Sequence, residues 1–116
     1  MNSLKNSVRL IGHAGANPEI KSFDNPDSTA NRMARFSIAT NDYYINKKGE
    51  KVENTEWHTV VAWGKAAELA EKLIEKGSEL AIEGKLTTRT YEKNGEKRYT
   101  TEIVMNEFAL LSKKAS

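Results

Sequence analysis

The run Thr55-Glu56-Trp57-His58-Thr59-Val60-Val61-Ala62-Trp63-Gly64-Lys65 holds both tryptophans of the chain and reads as one strand. In extended backbone, successive side chains alternate between faces. Trp57, Thr59, Val61 and Trp63 therefore share one side, and His58, Val60 and Ala62 the other. Both sides are partly apolar, so a single core cannot account for both. The side with two indoles needs cover from another layer, another subunit or a ligand with flat apolar surfaces. The alternative is that both tryptophans are core residues of a small domain, since Trp is highly buried on average.

Size and charge narrow the choice. A chain of 116 residues makes one domain and buries roughly two thirds of its unfolded surface, enough to fold without staples. It has no cysteine, which removes disulfides, thiolate metal sites and thiol nucleophiles and fits a reducing compartment. No apolar run is long enough for a signal peptide or a membrane span, so a soluble, cytoplasmic protein with no membrane partner is expected. With 18 Lys+Arg against 16 Asp+Glu the net charge is +2. Bulk charge neither demands nor excludes a polyanion, and the distribution of charge must decide.

In chain order, Ser7 to Gly12 alternates and continues through Gly12 and Gly15, as a strand does where it bends, until Asn17-Pro18 ends it. A short extended piece, Glu19 to Phe23, leads into a turn over Asp24 to Ser28. Arg32 to Thr40 is strand-like, with Ala34, Phe36 and Ile38 on one face and Met33, Arg35, Ser37 and Ala39 on the other. Residues 41 to 54 read as a long polar hairpin loop turning at Gly49 and carrying Tyr43-Tyr44 beside Lys47, Lys48 and Lys51. Lys65 to Lys76 has the helical period, with Ala66, Leu69, Ala70, Leu73 and Ile74 on one face and Gly77 as a left-handed cap. Ser78 to Thr90 is a strand with Leu80, Ile82, Gly84 and Leu86 inward and Glu83, Lys85, Thr87 and Arg89 outward. Asn94-Gly95 between two strand patterns is a hairpin turn, and the return strand runs from Arg98 to about Leu111 through Tyr99, Thr101, Ile103 and Met105. This order describes an all-β chain with one helix: a five-stranded Greek-key barrel of the OB type, the helix between its third and fourth strands. The barrel domain is expected over residues 1–111, with 112–116 a short flexible C-terminus.

Val8-Arg9-Leu10-Ile11-Gly12, Asn17-Pro18-Glu19, Thr55-Glu56-Trp57-His58, Gly64-Lys65, Lys76-Gly77-Ser78, Ile82-Glu83-Gly84 and Arg98-Tyr99-Thr100-Thr101-Glu102 together resemble the bacterial single-stranded DNA-binding protein family. Order and spacing match over about residues 4 to 106. The resemblance implies an OB fold, sequence-tolerant binding of single-stranded DNA, no catalytic activity and a homotetramer, with a dimer as the smaller alternative. Its base-stacking aromatics fall on Tyr44, Trp57, Trp63 and Tyr91. The family's commonest pattern has tryptophan at the first and last of these and phenylalanine at the third, so stacking is implied with altered strength. The family's histidine after Thr-Glu-Trp falls on His58, which the resemblance places near a subunit contact. Family members commonly continue into a glycine-rich linker and an acidic tip that recruits other proteins. This sequence stops at Leu111-Ser112-Lys113-Lys114-Ala115-Ser116, which fits a truncated chain or a short paralogue and puts tail-dependent partners in doubt.

Physical chemistry points the same way. Every base has a π-face, so a row of aromatics binds any sequence while Lys and Arg follow the phosphates. Candidate phosphate partners are Arg35, Lys47, Lys48, Lys51, Lys65, Lys85 and Arg89, with Lys93, Lys97 and Arg98 behind them; for any one of these, a solvated surface charge is the competing reading. Phe36 is expected in the core, and Phe23, Tyr99 and Phe108 in the core or in subunit packing. Catalysis is not expected: the chain has only His13 and His58, no cysteine, and no HExxH, GxSxG or complete phosphate loop. No metal or cofactor is expected either. The function read from the sequence is coating of single-stranded DNA in replication, recombination or repair. The alternatives are an RNA-preferring or replication-restart OB module and, from another class, a protein-interaction module.

Overall fold

The computed structural model describes residues 5–22 and 32–112. The turn expected over Asp24 to Ser28, the ring of Phe23 and the C-terminus from residue 113 lie outside the described residues. The elements are β1 (Val8–Ala14), β2 (Glu19–Ser22), β3 (Arg32–Ile45), β4 (Lys51–Trp63), α1 (Lys65–Leu73), β5 (Glu79–Lys93) and β6 (Glu96–Ser112). They form a sheet in the order β1-β5-β6-β4-β3-β2, and β1 also pairs with β3. That last pairing closes β1, β5, β6, β4 and β3 into a five-stranded barrel, with α1 between its third and fourth strands as the element order implies. The short extended piece after Asn17-Pro18 is a strand of its own, β2, laid along the outer edge of β3 from Glu19↔Arg35 to Ser22↔Arg32.

Two features close the barrel. At Gly12 the strand leaves β5 for β3, and a Cβ there would collide with the carbonyl oxygen of Ala39. Only a residue without a side chain lets β1 cross close enough to pair His13 with Ala39 and Ala14 with Ile38. On the other side, β4 meets β6 in the one parallel contact among the described strands, Val60↔Ile103 and Val61↔Val104. The interior is filled by alternate residues of each strand: Ala34, Phe36 and Ile38, then Val60 and Ala62, Leu80 and Ile82, Ile103 and Met105, with Phe108 packed against them. The inward face expected from alternation is thus the observed one, except at Leu86, which is 49% exposed although it stands opposite the buried Ile103.

The helix departs from its expected form in two ways. Ala67 and Ala70 are its buried residues and Ala66 packs on the core, whereas Leu69 and Leu73 are exposed. The helix lies so close to the strands that only alanines fit beneath it, and the leucines fall at its rim. It also ends at Leu73, because Ile74 turns extended and buries its side chain at the barrel end. Gly77 has the expected positive φ of 89°. It belongs to a later turn, where its N–H donates to the carbonyl of Ala14 at 2.8 Å.

Both hairpins are longer than their sequence patterns imply. Residues 41–45 and 51–54 are strand, not loop: the β3–β4 ladder runs unbroken from Met33↔Trp63 to Ile45↔Lys51. The turn beyond it is organised by Asn46, whose side-chain oxygen accepts the N–H groups of Lys48 and Glu50, both at 2.9 Å. The β5–β6 ladder likewise extends to Lys93↔Glu96 and turns at Asn94 and Gly95, both with positive φ, as an Asn-Gly hairpin requires. Tyr99 is 67% exposed on this arm, so it is neither core nor capped by the barrel. The two arms raise the radius of gyration to 16.3 Å, against about 13 Å for a compact chain of this length. No described helix is long and apolar enough to cross a membrane.

Candidate nucleic-acid interface

Residues directly opposite in a ladder share a face, so the registers define the outer surface of the barrel. On β4, Trp57, Thr59, Val61 and Trp63 face outward, and opposite them on β3 stand Ala39, Ser37, Arg35 and Met33. On β6, Glu102 and Val104 lie outward because Ile103 and Met105 fill the interior. Beside them on β5 are Thr87 and Lys85, followed by Arg89 and Tyr91. One continuous face therefore crosses β3, β4, β6 and β5, carrying Trp57, Trp63 and Tyr91 with Arg35, Lys85 and Arg89. These three rings are 61%, 47% and 42% exposed, so neither tryptophan is a core residue.

Trp57 sits on a glycine. A Cβ built on Gly15 would lie 2.6 Å from Cζ3 of the indole and 2.9 Å from the hydroxyl oxygen of Ser37. The bend at the end of β1 thus makes room for the ring to lie against backbone. Beside it, a cleft of about 280 Å³ is lined by Asn17, Glu19, Arg35, Ser37 and Thr59.

The remaining candidate residues are more dispersed. Tyr44 is exposed on β3 opposite Val52, and strict alternation puts it on the side of the arm away from Trp57. Tyr43 shares the Trp57 side, with the ammonium of Lys51 4.6 Å from its ring centre. Lys51 also lies 3.7 Å from Glu53. Lys47 and Lys48 occupy the tip of this arm, exposed. Lys65 opens α1, 3.8 Å from Glu68, two residues after Trp63 in sequence. The unbroken strand through residue 45 that places the two tyrosines on opposite sides lies in a polar stretch without a buried face, so the sequence pattern does not disclose it.

His58 is half-buried where β4 leaves the barrel, its Nε2 3.0 Å from the hydroxyl of Thr40. Elsewhere, among the described residues, residues 8–12 of β1 pair only with β5. Near this open edge, Leu10 and Ile11 line a concave surface with Ala81, Ile82 and Phe108, and Ile11 is 61% exposed.

A residue missed from the sequence lies at the centre of the outer face. Glu102 is 6% exposed and is the one buried ionisable side chain among the described residues. Arg89 grips it side-on, Nε donating to Oε1 at 3.0 Å and Nη2 to Oε2 at 3.3 Å. From the far side of β4, Nη2 of Arg35 approaches Oε2 at 3.9 Å. The hydrogen bond to Glu102, and then its charge, hold Arg89 above the ordinary arginine pKa. Its guanidinium is therefore charged at any working pH.

Comparison with known proteins follows the same lines. The single-strand binding protein family model matches residues 5–111. Over 113 residues the chain is 40% identical to single-stranded DNA-binding protein 1 of Chlorobaculum tepidum, spanning 96% of this chain and 67% of that one. Its fold is similar to that of an SSB from Plasmodium falciparum, solved in complex with ssDNA, at a TM-score of 0.78 and 30% identity, over 94% of this chain and 95% of that one. It is also similar to a deletion mutant of the single-stranded DNA-binding protein from Thermus aquaticus, at a TM-score of 0.76 and 29% identity, over 92% of this chain and 50% of that one.

Proposed function

Because the chain belongs to the single-strand binding protein family, we propose that it binds single-stranded DNA across the outer face of β3, β4, β6 and β5, without sequence choice and without catalysis. The observation that carries this reading is the exposure of Trp57, Trp63 and Tyr91 on one strand-built face among cationic side chains. Flat rings stack on any base, each stack contributing about 1–3 kcal/mol, and a basic groove follows the backbone. Trp57, Trp63 and Tyr91 stack bases, joined by Tyr44 on the first arm. Lys47, Lys48, Lys51, Lys65, Lys85 and Arg35 serve the phosphates. The biological setting that fits such binding is cytoplasmic protection of exposed strands during replication, recombination and repair.

The same reading includes self-association into a tetramer or dimer. Its support is the open edge of β1 beside an exposed Ile11, a strand edge that a second copy can cover, and the half-buried His58 at the root of the first arm. Sedimentation of the purified chain checks this, and a monomer at micromolar concentration contradicts it.

Titration of tryptophan fluorescence with an oligothymidylate, at low and high salt and with a duplex control, tests the DNA reading. The expected result is strong quenching by the single strand, weakened by salt, with little response to duplex. Absence of quenching and of binding removes Trp57 and Trp63 from any nucleic-acid site.

A further inference from the structure

A carboxylate buried in a face that binds a polyanion needs a reason. Glu102 weakens the positive potential of that face and, being desolvated, is tolerable only while a cation stays with it. It has two such cations, held unequally. Arg89, on the neighbouring strand, makes both hydrogen bonds, Nε to Oε1 and Nη2 to Oε2. Arg35, from β3 across the width of β4, makes a single ion-pair contact at 3.9 Å, too long for a hydrogen bond. Arg35 is also partly exposed, at 40% of its side chain, and lines the cleft beside Trp57.

The two arginines therefore cost different amounts to move. Withdrawing Arg89 strips a buried charge of its hydrogen bonds. Withdrawing Arg35 gives up only a long electrostatic contact and leaves Glu102 neutralised. An Arg has five N–H donors and forms paired hydrogen bonds to phosphate as readily as to carboxylate. A phosphate arriving beside Trp57 can thus take Arg35 from Glu102 without orphaning it.

Resting on the DNA-binding reading above, we propose that Glu102 is a positioning residue of the DNA face: it holds Arg89 permanently as its structural counter-ion and surrenders Arg35 to a DNA phosphate. Arg89 on this account keeps Arg35 available by occupying the carboxylate; it is not itself a phosphate ligand. If Arg89 is lost, Glu102 captures Arg35 and the phosphate contact goes with it.

The experiment is the salt dependence of oligothymidylate binding for the full chain and the variants R35Q, R89Q and R89Q/E102Q, with thermal unfolding in the absence of DNA to establish that each is folded. A phosphate contact on a single strand contributes about 0.7 to the slope of log affinity against log salt. R35Q should flatten the slope by about 0.7. R89Q should flatten it equally, although Arg35 is still present. R89Q/E102Q should restore the original slope, because no carboxylate then holds Arg35. Should R89Q fail to fold, R35Q and R89Q/E102Q carry the test, since the latter leaves no unpaired buried charge. An unchanged slope in R35Q overturns the proposal because Arg35 then touches no phosphate, an unchanged slope in R89Q because Glu102 then does not capture Arg35, and a slope in R89Q/E102Q that stays shallow by making Arg89 the phosphate ligand. Failure of the unaltered chain to bind the oligonucleotide at low salt instead overturns the DNA reading itself.

Discussion

The indole of Trp57 rests against Gly15, so near that a methyl group on the glycine would lie 2.6 Å from the ring. The glycine sets the height and tilt of the ring proposed to stack bases. Substituting Gly15→Ala should leave the barrel folded, since the exposed ring can swing outward, but should displace it from its seat. Affinity for an oligothymidylate is expected to fall by up to about 1–3 kcal/mol, the contribution of one stack. Circular dichroism checks the fold and fluorescence titration the affinity. Unaltered affinity would show that the ring's seat on Gly15 has no bearing on binding.

Trp57 and Trp63 lie on the same face of β4 but six residues apart, about 20 Å at 3.3 Å per residue. Sites so far apart act independently. Trp57→Ala and Trp63→Ala should each weaken binding by about 1–3 kcal/mol, and the double variant by their sum. A double variant no weaker than either single one would mean that only one base is stacked on this strand.

The first arm offers two tyrosines on opposite sides. Tyr43 has the Lys51 ammonium 4.6 Å from its ring centre, which occupies one face and leaves less of it for a base. Tyr44→Ala is therefore expected to lose about 1–3 kcal/mol of binding, and Tyr43→Ala less. The reverse order, read in the same titration, would route the strand along the Trp57 side of the arm.

Gly84 lies where the β5–β6 register shifts, and a Cβ there would strike the carbonyl oxygen of Val104. Since the obstacle is backbone, Gly84→Ala must distort the ladder and should destabilise the fold by about 1–3 kcal/mol. A urea titration reads this as a lowered midpoint, and an unchanged midpoint would mean that the strands can part there without cost.

Wherever a strand has a buried face, alternation made that face legible: Phe36 and Ile38, Leu80 and Ile82, Ile103 and Met105 all point where their spacing says. The Asn94-Gly95 turn was legible because few residues other than Asn and Gly tolerate its backbone angles. The arms were not, because residues 41–45 and 51–54 have no core to face and so carry no apolar period. The family's aromatic positions named Trp57, Trp63 and Tyr91, but nothing local distinguishes Glu102 from the other acidic residues. Its burial comes from Arg89 on one side and Arg35 on the other, and Arg35 is brought near by the parallel contact of β4 with β6 between positions more than forty apart in the sequence. The helix face was misjudged because period alone does not say how closely a helix will lie, and here closeness favoured Ala67 and Ala70 over Leu69 and Leu73.

The β3–β4 arm also imposes a parity rule on any change in its length. It continues its barrel strands without a register shift from Met33↔Trp63 to Ile45↔Lys51, so the barrel dictates which way every residue of that arm points. Removing one residue from each strand of the β3–β4 arm on the barrel side of Tyr43 would exchange Tyr43 and Tyr44 between its two sides; removing two from each would restore them. Reach can thus be altered in steps of two residues with the barrel untouched, whereas a single-residue step rewrites which side chains meet the ligand.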